Sequence, residues 1–414
     1  MDTVTRRKFL LASGVTGGAA LAAGAGAMGL HALLSGGSDA PVLAADEGTL
    51  VIVTLYGGND GLNTVVPFND PAYHKARSAM AYEAGQVLAL DETLGLNRVL
   101  KGMHQLWQNK QLAIVRGVGY PKPDRSHFRS MDIWQTASPE HPIGTGWIGR
   151  WLDGTKSPAE TAVSFEPVLS PLLVGETTAG ACVDVGGLRL PDGISPEMVS
   201  AFGQASTDEP DMQARVAGTY ADLITVDGLI QEINKSATAS PTETGTSVPA
   251  TGTGGGDSLT AQFDLIARCI EASVPTRVYS VSLGGFDTHA TERPAHERLL
   301  TQLDTALSAF LTRMTKTDAG KRVVCLVYSE FGRRVEANAS GGTDHGTAGP
   351  VFLAGPGVVG GLYGEQPSLT DLDDGDLKAT VDFRDIFGTI LSRVLKSDPD
   401  QFLAGYRSTS LPFI

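Results

Sequence analysis

The sequence predicts an α/β protein with a mostly parallel sheet, helices on both faces and an irregular covering region. Three observations carry that expectation. Apolar, β-branched runs recur at 49–56 (TLVIVTLY), 277–283 (RVYSVSL) and 322–328 (RVVCLVY), as strands buried on both faces require. Segments of helical periodicity separate them, and strands alternating with helices build parallel sheets. The runs also end in glycines, carboxylates and imidazoles, and open α/β sheets place their sites at the carboxyl ends of strands.

The first 45 residues read as an address. Thr5-Arg6-Arg7-Lys8-Phe9-Leu10 is a twin-arginine motif, an uncharged Gly/Ala/Leu stretch runs to Leu34, and Val42-Leu43-Ala44 fits a cleavage site. Together they predict export of the folded chain by the Tat machinery to the periplasm or beyond, with no stable membrane span after cleavage. Retention as a single anchor is the alternative, since the stretch is long enough to span. The remaining chain, 46–414, reads as one α/β domain.

Within it, the first strand ends at the tight turn Gly57-Gly58-Asn59-Asp60-Gly61. Residues 71–110 read as helix and loop, 112–115 as a short strand, 119–124 as a Pro-rich loop and 128–136 as a helix. Weak patterning over 138–208 predicts short strands and loops that cover one side. Residues 212–234 read as helix. The Ser/Thr/Pro/Gly segment 236–258 has almost nothing to bury and reads as a disordered insertion. Helices at 259–272 and 298–314 flank the strand 277–283. A strand at 351–354 and a closing helix at 383–395 complete the pattern.

The formal charge is −14, which disfavours a nucleic-acid partner, because such proteins present a basic face. Of three cysteines, Cys269 and Cys325 sit in apolar runs. They read as buried thiols, not as a disulfide framework or zinc cluster. No P-loop, Gly-x-Ser-x-Gly elbow, His-Glu-x-x-His or Rossmann fingerprint is present.

Four constellations carry chemistry. Asp60 ends the first strand beside Asn59, where turn chemistry is the plain reading and a ligand the functional one. Asp287 and His289 follow a Gly-Gly turn that lets the backbone approach a ligand closely. His296, further on, reads as a helix-surface residue. Glu330 ends a strand next to Arg333 and Arg334, so a salt bridge competes with a ligand role. In Thr343-Asp344-His345-Gly346, His345 is the ligand candidate and Asp344 a partner that orients its ring. Finally, Asp124-Arg125-Ser126-His127-Phe128-Arg129-Ser130 places a hydroxyl between two arginines at a helix start, a setting that suits an anion. There Ser126 is either a nucleophile or a simple cap.

The order of these elements resembles the alkaline phosphatase superfamily, which includes sulfatases. More closely, the chain resembles the exported bacterial family called domain of unknown function 1501. The stretches that carry this are 56–67 (YGGNDGLNTVVP), 126–134 (SHFRSMDIW), 284–290 (GGFDTHA), 328–333 (YSEFGR), 342–346 (GTDHG) and 381–391 (VDFRDIFGTIL). The resemblance implies two metal sites, one from Asp287, His289 and His345 and one from Asp60 and Glu330. It places Ser126 at the nucleophile, with Ser130 as substitute, and Arg125, Arg129 or Arg333 on the substrate anion. Where the superfamily has Asp-His, this chain has Glu330-Phe331, so one imidazole is missing. The expectation is therefore one or two divalent ions (Zn, Mn, Mg or Ca) serving hydrolysis of a small anionic phosphate or sulfate ester. The alternative is a non-catalytic cell-envelope binding or assembly protein with a degenerate metal site.

Overall fold

The computed structural model describes residues 47–166, 168–183 and 258–414, together with Val185 and Met198. The expected signal segment, the helix at 212–234 and all of the expected insertion but Ser258 lie outside the described residues.

In chain order the elements are β1 (Thr49–Leu55), α1 (Gly61–Thr64), β2 (Val65–Val66), α2 (Pro71–Arg77), β3 (Val87–Ala89), β4 (Gly95–Asn97) and α3 (Lys101–Gln108). Then come β5 (Leu112–Gly119), α4 (His127–Thr136), α5 (Trp147–Thr155), β6 (Ala162–Ser164), β7 (Ala181–Cys182), α6 (Leu259–Glu271), β8 (Val278–Leu283) and α7 (Glu292–Met314). The chain closes with β9 (Val323–Ser329), β10 (Arg333–Ala337), β11 (Thr343–His345), β12 (Gly349–Ala354), β13 (Gly361–Tyr363), β14 (Val381–Asp382) and α8 (Phe383–Arg393).

The main sheet runs β13-β5-β12-β9-β1-β8-β6-β7, with β14 also on β5. β1 is paired in parallel with both β8 and β9, and only β12 runs against its two neighbours. Alternate residues of β1 explain its unbroken apolar run. Val51, Val53 and Leu55 face a core under α3, α6 and α7. Leu50 and Ile52 face a second core under α4, α5 and α8. The fold class read from the sequence is the one observed.

The register matters for function. Leu55 pairs with both Leu283 and Ser329, so the loops after β1, β8 and β9 leave the sheet side by side. Gly57 lets two of them touch. Its φ is +115°, and a Cβ there would sit 2.5 Å from the Asp287 amide, a space and conformation open only to glycine.

Several elements differ from expectation for identifiable reasons. α7 starts at Glu292, six residues before the expected 298, because Pro294 is tolerated in a first turn, where its missing N–H has no helical partner anyway. His296 is therefore buried on α7, at 1% exposure, and is not a surface residue. The weakly patterned 138–183 contains α5, whose Gly149 packs against the backbone of Val174, 2.1 Å from where a Cβ would stand. Residues 71–110 include β3 and β4, which form a small antiparallel sheet with β2. Thr343–His345, read from the sequence only as a candidate ligand stretch, form β11, paired with β10. Among the described residues no helix is long and apolar enough to cross a membrane, and all three cysteines are free.

Candidate metal centre

Four side chains from three separate stretches meet at the sheet edge where β8 and β9 end. Asp287 and His289 come from the loop after β8, His127 from the first turn of α4, and His345 from the end of β11. Asp287 Oδ1 lies 2.9 Å from His289 Nε2 and 3.0 Å from His345 Nε2. The Nε2 atoms of His289 and His345 are 3.1 Å apart. His127 Nε2 lies 3.4 Å from Asp287 Oδ2. One ligand atom each from His127, Asp287 and His345 falls within 4.8 Å of the other two. Phe331 plates the rings of both His127 and His345 at centroid distances of 4.9 Å, which holds the two imidazoles in place.

The far nitrogen of each ring is already engaged. His345 Nδ1 lies 2.8 Å from the Arg125 carbonyl, which can only accept, so Nδ1 carries the hydrogen. His127 Nδ1 is 2.7 Å from Glu330 Oε1. His289 Nδ1 is 3.3 Å from Asp344 Oδ1, which also accepts from Asn338 Nδ2. With hydrogen on each Nδ1, each neutral ring turns its Nε2 lone pair inward. Three lone pairs and a carboxylate thus face one region. His127 Nε2 is enclosed there without a hydrogen-bond partner. Electron-rich atoms gathered this way repel one another unless a cation or added protons sit among them.

The surrounding charges support that arrangement. Burial works against the charge of Asp287, but the hydrogen bond and the charge of the Arg333 guanidinium override it and hold the carboxyl at about 2. Arg333 is fully buried. Beyond Asp287 Oδ1, at 2.9 Å, it donates to the carbonyls of Gly58, Phe286 and Thr343. The hydrogen bond to Glu330 raises the pKa of His127. Glu330, also buried, accepts from the Gly57 amide at 2.8 Å and from Ser329 Oγ at 3.0 Å.

Not all of the expected residues gather here. Glu330 stands one step behind, as the carboxylate that orients His127. The arginine salt bridge weighed for it does not form: Glu330 meets His127, and Arg333 pairs with Asp287 instead. Asp60 is elsewhere. Both its oxygens are taken by Arg77, at 2.6 and 2.9 Å, and Arg77 also donates to the carbonyls of Arg334 and Val335. Asn59 bonds His296 Nε2 at 2.9 Å in the same interior cluster. The expected second set, Asp60 with Glu330, is thus divided between two neighbourhoods because each carboxylate has protein donors of its own.

Ser126 is exposed directly before His127, and its side chain does not cap α4. Ser130 is buried and donates to the Glu330 carbonyl, with the Tyr120 hydroxyl 2.7 Å away. Arg125 binds Asp374 and Asp376, Arg129 binds Asp132, and Arg333 is committed as above. The three arginines expected on an anion are all engaged by protein groups.

The sequence signal for His127 was its place at N1 of α4, a position that aims a side chain at whatever lies before the helix. Ser126, the neighbouring hydroxyl, drew the role instead.

A family model described as "Protein of unknown function (DUF1501)" matches residues 107–412. The chain belongs to this family. The match includes His127, Asp287, His289, Glu330, Arg333 and His345, and leaves Asp60 outside. No curated protein matches this member of DUF1501. Its fold is similar to that of an alkaline phosphatase superfamily protein from Vibrio parahaemolyticus, at 9% identity and TM-score 0.41, covering 84% of this chain and 66% of that one. It is also similar to a phosphonate monoester hydrolase from Silicibacter pomeroyi, at 8% identity and TM-score 0.36, covering 88% and 78%. A third is the TAB5 alkaline phosphatase His135Asp mutant with Mg bound in its M3 site, at 10% identity and TM-score 0.33, covering 77% and 94%.

Proposed function

We propose that this DUF1501 protein is an exported, metal-dependent hydrolase of phosphate or sulfate esters. The observation that carries the proposal is the convergence of His127, Asp287, His289 and His345 with every Nδ1 engaged from behind and every Nε2 turned inward. These four donors fit a metal ion: their types are the usual ligands, and their outer partners are those that ligating histidines require. Three imidazoles with one carboxylate favour zinc and its first-row neighbours over magnesium and calcium. A bound ion would polarise an ester oxygen and lower the pKa of a nearby hydroxyl or water.

The chain's own residues define the rest of the reading. Glu330 and the Arg125 carbonyl hold His127 and His345 in their tautomers. Arg333 keeps Asp287 charged and fixed. Ser126, exposed beside His127, is the candidate nucleophile in reach of an incoming ester. α4 begins directly after Ser126, with no side-chain cap, and a helix start suits an anion. The twin-arginine segment supports transfer by the Tat machinery to the periplasm or beyond.

One observation favours a second reading, a non-catalytic envelope protein with a reduced site. Arg77 occupies Asp60 on both oxygens, so a second ion has no carboxylate left there. Two measurements separate the readings. Elemental analysis of the mature protein counts bound metal, and aryl phosphates and aryl sulfates with added Zn, Mn, Mg or Ca report turnover. Bound metal with turnover supports the hydrolase; bound metal with no turnover on either ester class favours the envelope protein; no metal under any loading removes both readings of the centre.

A further inference from the structure

His345 and His127 enter the four-donor cluster from distant parts of the chain, and Arg125 links them. Its carbonyl lies 2.8 Å from His345 Nδ1. Its chain continues through Ser126 into His127, the first residue of α4. The position of Arg125 therefore sets the tautomer and aim of one imidazole and the starting point of the other. Its neighbours in the Pro-rich loop are held locally. The Asp124 amide donates to the Tyr120 hydroxyl at 3.0 Å, and the Ser126 amide donates to Asp124 Oδ1 at 2.7 Å. The Arg125 side chain ties this loop to a remote part of the fold.

That tie ends on Asp376. Arg125 Nε donates to Asp376 Oδ2 at 2.8 Å, and Nη2 lies 2.5 Å from the same oxygen. The other carboxylate on Arg125, Asp374, is 3.2 Å away with its side chain 80% exposed, and exposed pairs contribute little. The Asp376 side chain is 2% exposed. Its segment is anchored where His345 is anchored. Asp373 and Asp376 exchange backbone hydrogen bonds at 3.0 and 2.9 Å. The Asp374 carbonyl accepts from Arg334, in β10, at 2.7 Å. The Leu377 carbonyl accepts from Thr347 Oγ1 at 2.6 Å, two residues beyond His345. Asp376 thus fastens the loop before α4 to the β10–β11 pair that ends in His345.

We propose that Asp376 is a positioning residue for this cluster. By fixing Arg125 it keeps the Arg125 carbonyl on His345 Nδ1 and holds the start of α4, with His127, over the same region. Its effect on metal affinity rests on the metal-centre reading above; its effect on the His345 ring does not. The test begins with histidine-labelled nitrogen-15 NMR of the full-length protein after metal removal by a chelator. Ring tautomers are read at about pH 8.5, where an ordinary imidazole is neutral, and the His345 signals are assigned by their loss in His345→Gln. Wild type is expected to carry the His345 hydrogen on Nδ1, and Asp376→Ala to give a mixture of both tautomers. Zinc affinity of Asp376→Ala, by competition with a chelating dye, should fall about tenfold, while Asp374→Asn keeps both readouts. Arg125→Ala should lower zinc affinity too, and adding Asp376→Ala to it should cause no further loss. A carboxylate that served folding alone would still subtract in that background. Asp376→Asn, close in volume, replaces the alanine variant if that one melts too low to compare. An unchanged His345 tautomer, or additive losses in the double variant, overturns the proposal. A tautomer shift in a protein that never binds zinc sinks the metal reading alone; tight zinc binding that Asp376→Ala leaves intact sinks this inference alone.

Discussion

Two clusters of carboxylates and imidazoles lie in this fold, one at the rim and one in the interior, and they differ in how their charge is answered. In the interior, Arg77 clasps both oxygens of Asp60. Burial, and then the charge of Asp60, push Glu292 up to about 9, so it keeps its proton at neutral pH. Burial pushes His296 down to about 4, so it stays neutral. That cluster is electrically complete. At the rim, Arg333 reaches one oxygen of Asp287, while three imidazole lone pairs face inward with no donor assigned among them. The same residue types therefore mean different things. Carboxylates and histidines mark a metal centre only where the protein has not already supplied the opposite charge.

The strongest way to break this comparison is to remove a rim donor. Asp287→Ala or His345→Ala is expected to abolish tight metal binding while the protein stays folded, as read by elemental analysis and circular dichroism together. The converse change is Arg77→Ala, which leaves Asp60 buried and unpaired. It should destabilise the fold by about 3–5 kcal/mol and leave the metal content of the surviving folded protein intact. Urea denaturation and metal analysis check both halves. If Arg77→Ala instead emptied the rim of metal, the two clusters would be one system.

Glu330→Gln sharpens the account of the rim. Losing the carboxylate behind His127 should lower metal affinity about 10–100-fold, measured by competition with a chelating dye. The smallest effect concerns pH. Folded Glu292 holds its proton up to about 9, but the unfolded chain releases it near the ordinary glutamate value. The unfolded state thus binds fewer protons in that window, and stability falls as pH rises through it. Glu292→Gln should flatten the decline between neutral pH and about 9. Equal slopes in denaturation series of the variant and wild type would contradict this.

Much of the fold was legible because its signals are local. The runs at β1, β8 and β9 declare strands buried on both faces, and their parallel pairing places Gly57, Asp287 and Glu330 at one edge. Asp287, His289 and His345 were readable as a set, since each sits just past or at the end of a strand. Asp60 was misplaced for a specific reason. Its partner Arg77 ends α2, in a stretch whose pattern gave no hint that a side chain would turn back into the core. Glu330 looked like a ligand, but nothing in one sequence shows that its lone pairs are filled by the Gly57 amide and His127. His127 itself was overshadowed by Ser126, because a hydroxyl between arginines is the more familiar anion motif. The helices α5 and the start of α7 were hidden by glycine and proline, whose effects depend on what packs against them.

The central claim is that His127, Asp287, His289 and His345 together hold a cation. X-ray absorption at the zinc edge of zinc-loaded mature protein tests it most directly, with the loss of imidazole scattering in His127→Ala as the comparison. The expected result is about one zinc per chain, ringed by nitrogen and oxygen ligands at about 2.0–2.2 Å with three imidazoles in wild type and two in the variant. Zinc bound without imidazoles, or an unchanged signal in His127→Ala, would contradict it.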